Sequence, residues 1–146
     1  MKYLLDSNIV SDLLNPTAAL YMQYNVRLSK LQNEDIVYVS ILTLYEFEYG
    51  YANAPNDKKD LVKRQINLAK EKFEILPLYE DATPIFGALK KSIKDSRQLS
   101  AKNLKQHNVD IILAATAILS DCILVSEDKL FDDLTHLDSR LHVEHW

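Results

Sequence analysis

Four apolar runs in this chain each carry a carboxylate: Asp6 closes MKYLLD, Glu46 lies in ILTLYEFEYG, Asp110 opens DIILAATAIL, and Asp128 follows ILVS. Apolar runs of this kind face a core, and a carboxylate at the edge of one is costly unless its charge is offset. Four such groups brought together by a fold repel one another, and a divalent cation is the simplest remedy. Hard oxygen ligands suit magnesium or manganese. The pattern points towards a metal-dependent enzyme.

The chain has 146 residues, enough for one domain that buries roughly two-thirds of the surface its unfolded form exposes. It contains only two glycines and four prolines, which favours long helices over a loop-rich sandwich. A net charge of −4 excludes nucleic-acid binding by bulk electrostatics, so a polyanionic substrate needs bound cations and a local basic patch. Cys122 is the only cysteine, so no internal disulfide can form, and its apolar surroundings suit a buried structural thiol in a reducing compartment. Asp6 and Asp12 interrupt any signal-peptide core, and no stretch approaches the roughly eighteen apolar residues of a membrane span. The chain reads as cytoplasmic, with no membrane partner.

KYLLD reads as a buried first strand, after which Ser7 or Asn8 caps a short helix that Asn15-Pro16 ends. A helix is expected from about Ala18 to Leu31, and IVYVS is a β-branched and aromatic second strand. Ser40 then caps a helix from Ile41 to Asn53. After the turn Ala54-Pro55-Asn56, DKKDLVKRQINLAKEKF is amphipathic at helical period. FEILPL offers a third strand, and residues 81 to 98 read as helix with Pro84 in the first turn. The polar RQLSAKNLKQHN reads as a loop or frayed helix end. Asn108 is placed to cap a helix running to Ser120, CILVS is a fourth strand, EDKLFDDL a short helix, and LHVEHW an edge strand. Strands alternating with helices give one α/β domain over residues 1–146, a three-layer α/β/α arrangement about a mainly parallel sheet.

Ligands of such sheets bind beyond the carboxyl ends of the strands. Asp6 ends the first strand and Asp128 follows the fourth. Asp110 lies in a first helical turn, where the helix dipole favours negative charge. Glu46 is one turn before Gly50. One cleft can gather all four, although each acid taken singly also fits a cap or a solvated loop residue.

The blocks LLDSNIVSDLL, SILTLYEFEYG, NVDIILAATAI and ILVSEDKLF resemble the four motif blocks of the PIN domain, closest to the small ribonuclease toxins of the VapC type. The resemblance spans Lys2 to the terminal LHVEHW, and its strength lies in block order and the 18-residue step from Asp110 to Asp128. It implies that Asp6, Glu46, Asp110 and Asp128 are the catalytic and metal-binding acids, holding one or two Mg²⁺ or Mn²⁺ ions and cleaving RNA. It places the family's small hydroxyl on Ser7, followed by Asn8, and puts Ser126 where threonine is usual. These three are expected around the metal ligands, with strand-end capping the competing role for the two serines. Asp121 stands where glycine is common and is expected to be a solvated turn residue. The resemblance also implies a cognate antitoxin lying along an apolar groove, and a homodimer.

Arg97, Lys102, Lys105 and Lys129 are the cations nearest in sequence to the last two acids, and are candidates for gripping RNA. Their competing role is an ordinary solvated face. Glu48, Asp12, Asp132 and Asp133 read as helix-surface charges, with the cleft rim the competing place for Asp132, and the histidines lack zinc or triad spacing. With glycine only at positions 50 and 87, no phosphate-binding glycine loop is possible. Two other functions compete. A non-catalytic PIN module should have lost one or more acids, yet all four are present. A phosphotransfer domain with Asp6 as nucleophile wants a second acid at position 8, which is Asn8.

Overall fold

The computed structural model describes all residues, 1–146. The strands are β1 (Lys2–Leu5), β2 (Ile36–Ser40), β3 (Glu74–Leu76), β4 (Ile123–Val125) and β5 (His142–Glu144). They form one sheet in the order β3-β2-β1-β4-β5, and every neighbouring pair is parallel. The sheet is thus wholly parallel, a sharper result than the expected mainly parallel one.

Alternation along the strands sends successive side chains to opposite faces. Tyr3, Leu5, Val39 and Val125 pack with α1 (Ser7–Leu13), α2 (Tyr21–Ser29), α3 (Ile41–Asn53) and α4 (Lys59–Lys72). Leu4, Leu76 and Leu124 pack with α5 (Thr83–Arg97), α6 (Ala101–Lys105), α7 (Asn108–Ser120) and α8 (Lys129–Leu137). Two hydrophobic cores, one on each face, make the three layers. Cys122 is a buried free thiol in the second of them. No helix is long and apolar enough to cross a membrane.

Four local expectations are corrected. The cap of α1 is Asp6, not Ser7 or Asn8: Asp6 keeps extended backbone, φ −66° and ψ 153°, and its carboxylate accepts from the Ser7 amide. Asn108 is the first residue of α7 rather than its cap, and its Oδ1 is buried without a partner. Between them, the segment expected as a loop or frayed end contains α6, capped by the Ser100 hydroxyl and anchored by buried Leu104. His107 N donates to Leu104 O and Ile111 N to His107 O, so the backbone turns directly from α6 into α7. The helix expected over 18–31 is confined to Tyr21–Ser29.

Progress across the sheet reverses at β1. Residues between β1 and β3 build outwards on one side, and the chain then returns to place β4 on the other side of β1. Such a reversal opens a crevice at the carboxyl ends of the two strands. Asp6 and the segment Ser126-Glu127-Asp128 leave β1 and β4 at that point.

Candidate active site

Leu5 pairs with both Val39 and Val125, so the next residues, Asp6, Ser40 and Ser126, lie at one level beyond the sheet. Asp6 shares its parity with Leu4 and faces the layer of α7 and α8. It is only 7% exposed. Its Oδ1 accepts from the Ser7 amide at 2.7 Å and, more loosely, from the Ser7 hydroxyl at 3.4 Å. Its Oδ2 accepts from the Ser126 hydroxyl at 2.7 Å. Burial pushes the Asp6 carboxyl above its ordinary value; the Ser126 and Ser7 hydrogen bonds hold it back, and nearby Asp128 adds to the rise.

Ser126 is fully buried and joins two of the acids. While its hydroxyl donates to Asp6, the same oxygen accepts from the Asp128 amide at 3.1 Å. Asp128 caps α8 by accepting from the Leu130 amide at 2.8 Å through Oδ1. Its other oxygen takes no protein donor.

Asp110 enters from the first turn of α7, half-buried. Its carboxyl is pushed up to about 6, first by burial and then by the charges of Asp6, Asp128 and Glu46 in that order. The other three acids therefore lie within electrostatic reach of this one. Glu46 reaches the group from α3, in the opposite layer, and is exposed. Ser40 caps α3 through the Leu42 amide at 3.2 Å and so starts that helix at the level of Asp6.

None of the four acids has an ion-pair partner anywhere in the molecule. Nor are any three acidic, histidine or cysteine side chains gathered tightly enough to hold a metal ion as they stand. The donor chemistry fits a hard divalent ion: carboxylate oxygens only, an Asp110 carboxyl raised by burial and by three neighbouring negative charges, and oxygens on Glu46, Asp110 and Asp128 that accept no protein hydrogen bond.

The candidates around the acids separate. Ser7 and Ser126 contact Asp6 directly, whereas Asn8 is exposed and bonds to none of the acids. Lys102 and Lys105 on α6 and Lys129 beside Asp128 are exposed and have no carboxylate partner. Arg97 is different: its Nε donates to Asp133 Oδ2 at 2.8 Å, tying α5 to α8. Glu48 pairs loosely with Lys63 at 4.0 Å on the surface, as expected of a solvated charge. Asp121 is exposed, with φ 53° at the end of α7, the left-handed conformation that explains why glycine suits that position.

His145 was missed as a neighbour of the site. Its Nδ1 lies 2.7 Å from the Ser126 carbonyl and its Nε2 3.1 Å from Asp132 Oδ1. No sequence spacing links positions 126 and 145. The only signal is strand register, Val125 opposite Glu144, which is invisible before β5 is placed beside β4.

A cavity of about 740 Å³ lies at the other end of the sheet between Lys2, Ile36, Ile123 and Val143, away from the acids.

The PIN domain family model matches residues 3–137. The chain belongs to the PIN domain family. Its fold is similar along nearly the whole length to VapBC2 from Rickettsia felis bound to a DNA fragment from their promoter, at 20% identity and TM-score 0.78, covering 100% of this chain and 99% of that one. A structure of FitAB bound to a DNA fragment gives 26% identity and TM-score 0.75, covering 99% and 94%. VapBC-5 from Mycobacterium tuberculosis, a member of the VapBC family of toxin-antitoxin systems, gives 19% identity and TM-score 0.60, covering 99% and 96%. No curated protein matches the chain by sequence.

Proposed function

We propose that this chain is a metal-dependent endoribonuclease and, in its biology, the toxin of a toxin–antitoxin pair acting in the cytoplasm. The observation that carries the reading is the gathering of four carboxylates from β1, α3, α7 and the end of β4 with no ion-pair partner, in which Asp110 is raised to about 6 first by burial and then by the charges of Asp6, Asp128 and Glu46. Asp6, Glu46, Asp110 and Asp128 would hold one or two magnesium or manganese ions. When bound, such an ion supplies positive charge at the scissile phosphate and makes water available as hydroxide near neutral pH.

The chain's own groups prepare that chemistry. The Ser126 hydroxyl and the Ser7 amide fix both oxygens of Asp6, so the carboxylate meets its ligand in one orientation. The Leu130 amide holds one oxygen of Asp128 and leaves the other without a protein donor. Lys102, Lys105 and Lys129, exposed and without a carboxylate partner, are assigned to the RNA phosphates. Arg97, engaged by Asp133, contributes to the rim mainly by holding α8 in place.

Cleavage of RNA with Mg²⁺ or Mn²⁺ tests the reading. Asp6→Asn and Asp110→Asn should each lose about a hundredfold or more in rate. Wild-type activity in both variants would overturn the assignment. The toxin reading rests on the VapBC and FitAB likenesses and on Tyr45 and Tyr49, which stand 70% and 72% exposed on one face of α3 and suit an apolar antitoxin segment. Expression alone should arrest growth, and co-expression of a small neighbouring gene product should relieve it. Unimpeded growth on expression of an active nuclease contradicts the toxin role.

A further inference from the structure

The β4–β5 pairing continues past both strands: Ser126 N donates to Glu144 O at 3.2 Å, which brings His145 alongside Ser126. There the imidazole meets two acceptors. The Ser126 carbonyl faces Nδ1 at 2.7 Å and the Asp132 carboxylate faces Nε2 at 3.1 Å. A neutral imidazole carries one N–H, so only the imidazolium donates to both at once. Glu127 adds a second carboxylate, with Oε2 3.6 Å from Nδ1, while its Oε1 accepts from the Trp146 amide at 3.2 Å. The charged groups facing the ring are therefore Asp132 from α8 and Glu127 from the loop, both negative. Burial favours the neutral ring, but the Ser126 carbonyl and these two charges outweigh it, and the ring titrates above the ordinary histidine value.

Ser126 is the residue through which this contact reaches the acids. Its amide is held by Glu144, its carbonyl by His145, and its hydroxyl spans Asp6 and the Asp128 amide. Asp132 lies one helical turn after Asp128 on α8. A cation gripping Ser126 and Asp132 together fixes the loop at both ends.

We infer that His145, as a cation, is a positioning residue of the active site: it ties the Ser126-Glu127-Asp128 loop to α8 and so sets where Ser126 and Asp128 stand relative to Asp6. The inference rests on the nuclease reading for its effect on rate, though not for the tether itself. Metal ligands held in place by their neighbours typically lose affinity or activity when that support is removed. The C-terminal strand is thereby part of the catalytic apparatus rather than an edge added to the sheet.

Two measurements test it. The ring of His145 is titrated by NMR in the full chain; it should titrate above the ordinary histidine value and fall in Asp132→Asn. A ring at or below the ordinary value in the wild type overturns the tether. In RNA cleavage with Mn²⁺, His145→Ala should lower kcat about tenfold and raise the Mn²⁺ needed for half-maximal rate, with KM for RNA little changed. His145→Arg, which offers donors to both acceptors at any working pH, should restore most of the rate and remove its decline above the ring's pKa. His142→Ala, exposed on β5, serves as control. Wild-type kcat and Mn²⁺ requirement in His145→Ala overturn the inference; should that variant fail to fold, Asp132→Asn decides by the same readings. A wild-type chain that cleaves no RNA refutes the nuclease reading instead, and the ring titration then judges the tether alone.

Discussion

Asp110 occupies a first helical turn, where the dipole favours a negative charge by about 0.3–1 kcal/mol. Burial and three neighbouring carboxylates override that preference and push its carboxyl from 3.8 to about 6. Between those values the folded chain keeps a proton that the unfolded chain has released. Stability therefore falls as pH rises through this window, and the cost is complete above about 6. Asp110→Asn should raise the melting temperature of the metal-free protein at pH 7, by about 3–6 °C after discounting for the solvent-facing side, and leave it unchanged below pH ~4. A lower melting temperature at pH 7 contradicts the electrostatic cause. Ser126→Ala should act in the opposite direction: it strips a donor from a buried carboxylate and should cost about 1–3 kcal/mol in denaturant melts. At this scale the acids were legible because each interrupts an apolar run, a costly placement that residue order exposes. Ser126 was legible as a hydroxyl preceding an acid, though not as the atom bridging Asp6 to Asp128. His145 was not legible, since its neighbours come from strand register.

The strands could be read because each is a short apolar run with an abrupt polar end, and the capping roles of Ser40 and the early Pro84 followed from local chemistry. Helix starts were less secure where the backbone had alternatives. At Asp6 the acid itself takes the cap, so one side chain both starts α1 and belongs to the site. The polar segment after Arg97 hid α6 because only Leu99 and Leu104 anchor it, too few residues to show a period. Two helix ends turn in the left-handed region without glycine, at Gln98 with φ 52° and Asp121 with φ 53°. Glutamine tolerates that conformation poorly, so Gln98→Gly should stabilise the chain by about 0.5–1 kcal/mol in thermal or chemical denaturation. A destabilised variant would mean that the Gln98 side chain has a role the backbone does not explain.

Across the whole molecule, a net charge of −4 leaves no bulk positive field, so the proposed RNA substrate is assigned to a small cationic rim. Reversing Lys102 and Lys105 together should weaken RNA binding and flatten the slope of log affinity against log salt by about 1–2. An unchanged slope removes these lysines from the interface. The carbonyl-end location of the acids was readable from the order of strands and helices, because a parallel sheet that reverses direction leaves its crevice there. Which layer each acid comes from was not readable: Glu46 belongs to the face opposite Asp110, and only the packed cores separate the two. What unites the molecule is the claim that acids from β1, α3, α7 and the end of β4 act as one cation site. Calorimetric titration of Mn²⁺ into the metal-free chain tests it most directly. Wild type should bind, and Asp6→Asn, Glu46→Gln, Asp110→Asn and Asp128→Asn should each weaken binding by about tenfold or more. Mn²⁺ binding that is absent from the wild type, or equally tight in all four variants, contradicts a shared site.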